Sequence, residues 1–240
     1  MQLSVATYNI HKGVGRDGRC DPDRIIAVLR EVNADVIALQ EADERFGSRT
    51  GILPRALLDD TQWRVVPVAK RPQSIGWHGN TILARKDVTV VSSRPLDLPT
   101  LEPRGAVVAV LEREGQRFAI AGAHLCLSGL RRRAQIKALL GHIEHDCGGH
   151  EMPALLTGDF NQWGLRSGAM RVFREAWGRD WQMIAPGPTF PSNRAIARLD
   201  RIVASSEWTV DASKVHHSSL AAMASDHLPL KAELSVSTRA

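Results

Sequence analysis

Apolar positions near the start of the chain predict a β–α–β unit. Residues 3–8 form an apolar-rich run that is typical of a buried strand. Asp21 supplies an N-cap acid and Pro22 an early proline, which together indicate the start of a helix. Apolar side chains then recur at helical spacing at Ile25, Val28, Leu29 and Val32. Residues 35–40 return to a strand pattern, which completes the unit.

The rest of the chain continues as short strands with one more strong helical pattern. The helix runs through Ile136, Leu139, Leu140 and Ile143. Residues 112–116 predict a hairpin turn, and segments rich in Pro and Gly predict long loops at 70–79, 94–105 and 186–193. Strands are predicted at 63–68, 81–84, 88–91, 106–111, 118–123, 154–157, 199–204 and 228–234. The pattern predicts a mixed α/β fold with many strands.

Composition adds a few limits to this interpretation. The 240 residues contain no linker or repeat, so we expect residues 1–240 to form a single domain. The sequence lacks an apolar run of the length that spans a bilayer, and we expect a soluble, cytoplasmic, monomeric protein. Cys20, Cys126 and Cys147 are widely spaced, which favours free thiols. A net charge of +5 favours an anionic partner without identifying one.

Polar clusters stand where the apolar runs begin or end, and loops at strand ends often carry functional groups. Any one cluster alone is better explained by a turn, a cap or a buried histidine. Together they supply carboxylates, carboxamides and imidazoles at equivalent points, a set that suits Mg²⁺ better than zinc. The clusters are Asn9-Ile10-His11, Gln40-Glu41, His124-Leu125, Gly158-Asp159-Phe160-Asn161, Leu199-Asp200-Arg201 and Ser225-Asp226-His227.

The ordered motifs resemble those of the endonuclease/exonuclease/phosphatase superfamily, to which deoxyribonuclease I belongs. The resemblance covers residues 7–230 and is closest to small bacterial members whose substrate is unassigned. It implies a four-layer α-β-β-α sandwich of two mixed β-sheets flanked by helices. The motifs are TYNIHKG (7–13), VIALQE (36–41), HGNTILAR (78–85), EPRGA (102–106), AGAHL (121–125), LLTGDFN (155–161), RLDRI (198–202) and SDHLPL (225–230).

The resemblance also implies a metal site. Glu41 matches the principal metal ligand, Asn9 lies beside the same ion, and Asp226 matches a further ligand on the metal side. All three side chains offer oxygen donors, which Mg²⁺ prefers and which Mn²⁺ also accepts. One departure concerns His11, because several repair nucleases have an acid at this position.

Further roles follow from the same resemblance. Asp159 and Asn161 match the pair that orients the attacking water and contacts the phosphate. His227 matches a histidine that contacts the phosphate and acts as an acid or base, and Asp200 matches the carboxylate that fixes its tautomer. His124 matches a second histidine that donates to a phosphate oxygen or to the leaving group.

The remaining pocket candidates bind or frame the substrate. Arg104 matches a phosphate contact and Asn80 a pocket residue with a scaffolding role. Residues 131–133 are three consecutive arginines at a predicted helix start. Such a run is often a solvated face, yet cations there oppose the helix dipole, so we hypothesise that Arg133 binds substrate phosphate.

The six tryptophans allow two interpretations. Most such residues belong to a partly buried core, but a tryptophan beside a motif loop can also stack on a base. Trp77 and Trp163 flank motif loops and are the stacking candidates. The full set is Trp63, Trp77, Trp163, Trp177, Trp181 and Trp208.

The function implied by the resemblance is metal-dependent hydrolysis of a phosphoester by water activated by the metal and by His and Asp. The substrate is nucleic acid, a phospholipid head group or inositol phosphate, or another small phosphodiester. Residues 189–192 replace the Trp-rich stretch of abasic-site nucleases, which disfavours DNA repair. The alternative from another class is a catalytically inactive protein that binds phosphate ligands.

Overall fold

The computed structural model describes residues 1–100, 104–148, 152–175 and 179–236. In this part of the chain, twelve strands form two six-stranded sheets. The strands are β1 (Gln2–Asn9), β2 (Val36–Gln40), β3 (Trp63–Val65), β4 (Thr81–Arg85), β5 (Thr89–Asp97), β6 (Gly105–Arg113), β7 (Gln116–His124), β8 (Ala154–Asp159), β9 (Trp181–Ile184), β10 (Asp200–Ser205), β11 (Thr209–Val215) and β12 (Leu230–Ser235). The helices are α1 (Pro22–Val32), α2 (Arg55–Asp59), α3 (Gly129–Asp146), α4 (Val172–Glu175) and α5 (Ser219–Ala224).

Both sheets are mixed. The first has the order β11-β12-β1-β2-β4-β3, and the second has the order β5-β6-β7-β8-β10-β9. In each sheet one central pair is parallel, β1 with β2 and β7 with β8, and all other neighbours are antiparallel. The central strands of the two sheets face each other, so the two parallel pairs lie back to back.

Alternation along each strand builds the four layers. Val5 of β1 faces the core between the sheets, while Tyr8 faces the outer layer of α1 and α5. The outer face of the second sheet packs against α3, through residues such as Ile136 and Leu139. Because both faces of the central strands are buried, these strands read as continuous apolar runs. The predicted four-layer sandwich is confirmed.

Local signals explain where the first helix begins and ends. The Asp21 side chain accepts a hydrogen bond from the Arg24 backbone N–H at 3.0 Å, and Pro22 is the first helical residue. The helix ends at Asn33, whose φ of 46° is left-handed. This N-terminal signal and the predicted β–α–β unit are therefore confirmed.

Several predicted boundaries are wrong. The segment 94–105 is not wholly a loop, because β5 continues to Asp97 and pairs along its length with β6. The strand predicted at 63–68 ends at Val65. The hairpin turn at 112–116 is confirmed, with Glu114 and Gly115 both at positive φ. Cys20, Cys126 and Cys147 are free thiols, as predicted.

None of the helices in the described part of the chain is long and apolar enough to cross a membrane.

Candidate functional site

The strand register brings the predicted site residues to one end of the sandwich. Asn9 is paired with Gln40 at the ends of the parallel strands β1 and β2. In the second sheet His124 is paired with Asp159 at the ends of β7 and β8, and Asp200 lies opposite Asp159 at the start of β10. Because the two parallel strand pairs face each other, polar groups from both sheets meet at this end of the sandwich.

Asp159 is the centre of this network. The residue is 1 % exposed, and its Oδ2 accepts a hydrogen bond from Asn9 Nδ2 at 3.2 Å across the two sheets. The same oxygen lies 3.4 Å from His124 Nε2 and 3.8 Å from His227 Nε2. The other oxygen accepts the backbone N–H of Asn161 at 2.8 Å. One buried carboxylate thus contacts residues that follow or end several separate elements.

Gly158 makes this position of Asp159 possible. Its φ is 144°, and a Cβ atom built on it would lie 1.9 Å from the carbonyl oxygen of Ala123. Any side chain here would push β8 away from β7 and separate Asp159 from His124. The Gly–Asp dipeptide at the strand end is therefore a packing requirement as well as a motif.

His227 and Asp200 form a buried ion pair. Nδ1 of His227 donates to Asp200 Oδ2 at 2.7 Å, and Thr189 Oγ1 donates to the same oxygen at 2.6 Å. Burial would lower the pKa of His227, but the carboxylates of Asp200 and Asp159 raise that pKa to about 10. The imidazole is therefore protonated at neutral pH, and its Nε2–H faces Asp159.

His124 has the opposite charge state. Burial lowers its pKa to about 4, against the attraction of Asp159 and with the Arg104 guanidinium reinforcing the shift. A nitrogen of Arg104 lies 2.7 Å from Nδ1 and 2.6 Å from Nε2. Since a guanidinium only donates, the ring nitrogen that accepts carries no proton. The two histidines of the site are thus one neutral and one cationic.

Glu41 lies on the more open side of the site, directly after β2, with a left-handed φ of 55°. The ammonium of Lys12 is 2.5 Å from its Oε2. Burial would raise the pKa of Glu41, but the Lys12 hydrogen bond leads the effects that bring the pKa below its ordinary value. Glu41 is therefore ionised, and a cation already lies beside it.

Two of the three site asparagines, Asn161 and Asn80, donate hydrogen bonds mainly to the backbone. Asn161, at a left-handed φ of 49°, donates from Nδ2 to the carbonyl of Leu125 at 2.9 Å. Asn80 is fully buried and donates to the carbonyls of Trp77 at 3.2 Å and Gly105 at 3.0 Å. Asn80 therefore fastens its loop to the start of β6, next to Arg104.

Asp226 lies at the rim of the site. Its Oδ1 is 4.0 Å from Nδ1 of His11 and is reached by Ser225 Oγ at 3.4 Å. Ser225 Oγ also lies 2.7 Å from the backbone carbonyl of Asn9 and accepts the His227 backbone N–H at 3.3 Å. Ser225 therefore ties the segment that carries Asp226 and His227 to the end of β1.

Arg133 is not joined to the other predicted site residues. Its guanidinium forms an ion pair with Glu175 at 2.7 Å, at the surface between α3 and α4. The neighbouring Arg132 turns towards the site loops, donating to the Leu127 carbonyl and, at 3.0 Å, to Gln162 Oε1. Among the three arginines, the closer structural link to the site is thus Arg132.

The tryptophans divide between core and surface. Trp63 and Trp208 are buried, whereas Trp163 is 65 % exposed beside Asn161. Trp77 donates from Nε1 to Asp97 at 3.1 Å and contacts the Lys70 ammonium over its ring at 4.4 Å. Trp177 and the Glu102-Pro103 part of the EPRGA motif lie outside the described residues.

Two groups of oxygen donors are candidates for a cation. Asp159, Asp200 and His227 offer atoms that all lie within 4.8 Å of one another. Asp200 Oδ1 is buried with no hydrogen-bond partner among the described residues. The protonated ring of His227 offsets one of the two carboxylate charges of this group. The other candidate is Glu41, which lines the cleft and follows Gln40, the strand partner of Asn9.

Sequence reasoning gave no role to Lys12, Thr189 or Arg49. Lys12 stands inside the TYNIHKG motif, so its position beside the strand end was a usable signal. Thr189 was assigned only to a loop, and its contact with Asp200 across the loop has no local signature. Arg49 belongs to the 44–51 loop and lies 2.7 Å from His78, a contact that no motif indicated.

Comparisons with known proteins identify the family and the fold of the chain. The sequence profile of the Endonuclease/Exonuclease/phosphatase family matches residues 6–227. No curated protein sequence matches the chain significantly. Several solved structures share the fold throughout. An endonuclease/exonuclease/phosphatase from Bacteroides vulgatus superposes with a TM-score of 0.78 at 19% identity, covering 99% of this chain and 100% of that one.

Two further structures carry functional names. The human Nocturnin catalytic domain has a TM-score of 0.76 and 21% identity, with coverage of 98% of this chain and 95% of that one. A mannosyl-6-phosphatase from Bacteroides thetaiotaomicron has a TM-score of 0.74 and 20% identity, with coverage of 97% and 99%. Since the family profile spans nearly the whole sequence, this chain belongs to the endonuclease/exonuclease/phosphatase family.

Proposed function

We propose that residues 1–240 form one domain that hydrolyses phosphoester bonds with the help of a divalent cation, Mg²⁺ or in its place Mn²⁺. The observation that carries this proposal is the buried Asp159 carboxylate, contacted from both sheets by Asn9, His124 and His227. A fold does not by itself define a reaction, whereas this arrangement of an acid, a base and anion-binding groups supports phosphoester hydrolysis.

The donor set of the open side fits a hard cation. Glu41 is an ionised carboxylate, Asn9 offers a carboxamide oxygen and Asp226 a further carboxylate, and none of these is a sulfur or nitrogen ligand. We assign the cation to this side because the Asp159–Asp200 group already contains the protonated His227. When bound there, a divalent cation supplies charge neutralisation for the phosphate oxygens.

The chain's own residues divide the remaining work. Asp159 is placed to orient the attacking water and to accept its proton, and Asn161 holds the Asp159 loop in position. The imidazolium of His227, held in one tautomer by Asp200, donates to a phosphate oxygen and neutralises charge that develops there. His124 is neutral and, with Arg104, faces the leaving group or a second phosphate oxygen.

The substrate contacts in this proposal are Arg104, Arg133 and, through the loop it fastens, Asn80. Arg104 stands directly against His124, which favours contact with the reacting phosphate. Arg133 would first have to leave Glu175, so we expect its contribution to be small. We further propose that the enzyme acts as a monomer in the cytoplasm.

The substrate class is the finer part of the proposal. Phosphodiesters, nucleic acid among them, are the first candidates. A phospholipid head group or an inositol phosphate is the alternative. The mannosyl-6-phosphatase among the similar structures is named for a phosphomonoester substrate. The non-enzymatic alternative is a protein that binds phosphate ligands without turnover.

One panel of assays separates these candidates. Bis-p-nitrophenyl phosphate, p-nitrophenyl phosphate, plasmid DNA, single-stranded RNA and sphingomyelin would each be incubated with Mg²⁺, Mn²⁺ or EDTA. We expect turnover of at least one phosphoester with either metal and none with EDTA. Binding of phosphate without turnover of any substrate would support the inactive protein and contradict the proposal.

A further inference from the structure

The open side of the site continues into a cleft that is lined partly by residues outside the catalytic network. Glu41 and His124 line its inner part. Its outer wall is formed by residues of the 44–51 loop together with His78 and Gly79 of the HGNTILAR motif. The basic or imidazole side chains that line it are Lys12, Arg45, Arg49, His78, Arg104 and His124. Its acidic lining residues are Glu41, Asp43 and Glu44, so the ammonium and guanidinium groups outnumber the carboxylates by one.

Arg49 and His78 form a distinct pair in the outer wall. The Arg49 guanidinium lies 2.7 Å from Nδ1 of His78. Because the guanidinium donates, this imidazole nitrogen must accept, and the pair carries the one positive charge of Arg49. Among the described residues, neither side chain has a carboxylate within ion-pair distance. The guanidinium therefore keeps donors that the protein does not satisfy with an anion.

Both residues of this pair have a strained backbone conformation. Arg49 has a φ of 52° and His78 a φ of 49°, a conformation that residues other than Gly rarely adopt. The loops are held by the Glu44 backbone N–H donating to Thr50 at 2.9 Å and by the Gly51 N–H donating to Gln73 at 2.8 Å. Strain of this kind persists where the surrounding structure enforces it, often at ligand sites.

The surroundings of the pair are predominantly cationic. Burial lowers the pKa of His78, and Arg49, Arg71 and Lys70 add to the shift while Asp97 opposes it. Lys70 lies 3.5 Å from Asp97. Asp43, also in the cleft, is buried and accepts hydrogen bonds from Ser74 Oγ and the Ile75 backbone N–H. Glu44 is exposed on the same loop. An anionic ligand is the natural complement of this wall.

We propose that Arg49 and His78 form a subsite for a second phosphate of the substrate, beside the phosphoester that is cleaved. The proposal rests on the proposed function and narrows its substrate class to compounds with two phosphate groups. A guanidinium and a neutral imidazole that both line the cleft are suited to phosphate oxygens. The second phosphate belongs either to a small bisphosphate or to the next position of a polynucleotide.

The test uses paired probes that differ by one phosphate. Propane-1,3-bisphosphonate and methylphosphonate compete with bis-p-nitrophenyl phosphate for the small-molecule arm. Thymidine 5′-(p-nitrophenyl phosphate), with and without a 3′-phosphate, serves as the nucleotide arm because the leaving group is constant. We expect the member with two phosphate or phosphonate groups in at least one pair to bind about tenfold better than its partner. Arg49→Met should reduce this ratio to near one.

Controls separate this effect from general charge and from metal chelation. Arg30→Met removes the same charge from the exposed end of α1 and should keep the tenfold ratio. Every variant is compared at one excess of Mg²⁺, so chelation by the bisphosphonate is equal in all. His78→Gln should reduce the ratio too, and it decides the question if Arg49→Met fails to fold.

Several results would overturn the subsite. A wild-type ratio near one in both arms would do so, as would a ratio retained in Arg49→Met. The arm that shows the preference identifies the source of the second phosphate. Probe binding is also read as a rise in melting temperature, which needs no turnover. Failure of the proposed hydrolysis would therefore be seen separately, as absent turnover with the Arg49-dependent binding preserved.

Discussion

The two sides of the candidate site are built in different ways. The inner network of His124, Asp159, Asp200 and His227 is at most 5 % exposed. Strand register fixes its first three residues, and hydrogen bonds to Asp200 and Ser225 hold His227. The outer side, with Lys12 and Glu41, stands on loops at positive φ and is open to the cleft. The charged groups of the inner side are therefore in contact with one another before any ligand binds. The outer side carries charges that a cation or an anion can still reorganise.

The largest effect is expected from the centre of the inner network. Asp159→Asn keeps the shape but removes the charge that faces Asn9, His124 and His227. We expect kcat/KM for the best substrate of the panel to fall by about 10³-fold, the range of a lost general base. Asp211→Asn, on the exposed strand β11, is the matched control and should retain activity. A loss below tenfold in Asp159→Asn would contradict the role of the inner network.

The next effect concerns pH and the stability of the inner network. The folded pKa of His227, about 10, exceeds its ordinary value, so the protonated ring stabilises the fold. This contribution is complete below about pH 6.5 and disappears as pH rises through 10. We expect the free energy of unfolding of wild type to lose on the order of a few kcal/mol over that window relative to His227→Gln.

The contribution of His124 to stability has the opposite pH dependence, because burial lowers its pKa to about 4. Its contribution is present above about pH 6.5 and is lost as pH falls towards 4. Urea unfolding at pH 4.5, 6.5, 8 and 10 measures both limbs. A wild type and a His227→Gln variant that lose stability in parallel from pH 6.5 to 10 would show that the ring is not held protonated.

A smaller effect is expected at the outer side. The ammonium of Lys12 lies 2.5 Å from Glu41 and competes with a divalent cation for the same carboxylate. We expect Lys12→Met to strengthen Mg²⁺ and Mn²⁺ binding by about tenfold, since a neighbouring like charge is removed. Metal-dependent melting curves measure this, with Lys137→Met on the exposed face of α3 as the control. Weaker metal binding in Lys12→Met would mean that Lys12 supports the cation site instead.

The smallest effect is expected from Arg133. If this side chain binds substrate phosphate, Arg133→Ala should raise KM by about two- to fivefold, the value of a weak exposed contact. Glu175→Ala releases the guanidinium and should leave KM unchanged or lower it. Steady-state kinetics on the same phosphoester measure both variants. An unchanged KM in Arg133→Ala would leave Arg133 as a surface ion pair with Glu175 only.

The fold was predictable wherever burial produced a strong pattern. The predicted strands at 3–8 and 118–123 correspond to β1 and β7, whose inner and outer faces are both covered. The missed strands β9 and β11 lie at sheet edges, where one side is exposed and polar residues interrupt the apolar pattern. The end of β5 was missed because Pro95 and polar neighbours look like a loop.

The site was predictable to the extent that its residues belong to motifs. The structure brings Asn9, His124, Asp159, Asp200 and His227 together as one network, although their functional roles stay predictions. The partners from loops were not predictable. The Lys12–Glu41 and Arg49–His78 contacts depend on left-handed backbone conformations and on distant segments, neither of which a local pattern specifies.

The most direct test of the central claim is turnover of bis-p-nitrophenyl phosphate with Mg²⁺ by wild type, Glu41→Ala and His227→Ala. These two variants remove one charged group from each side of the site. We predict that wild type hydrolyses this substrate and that EDTA abolishes the turnover. In each variant we predict turnover at least about 10²-fold lower than in wild type. Full turnover in either variant, with unchanged folding by circular dichroism, would contradict it.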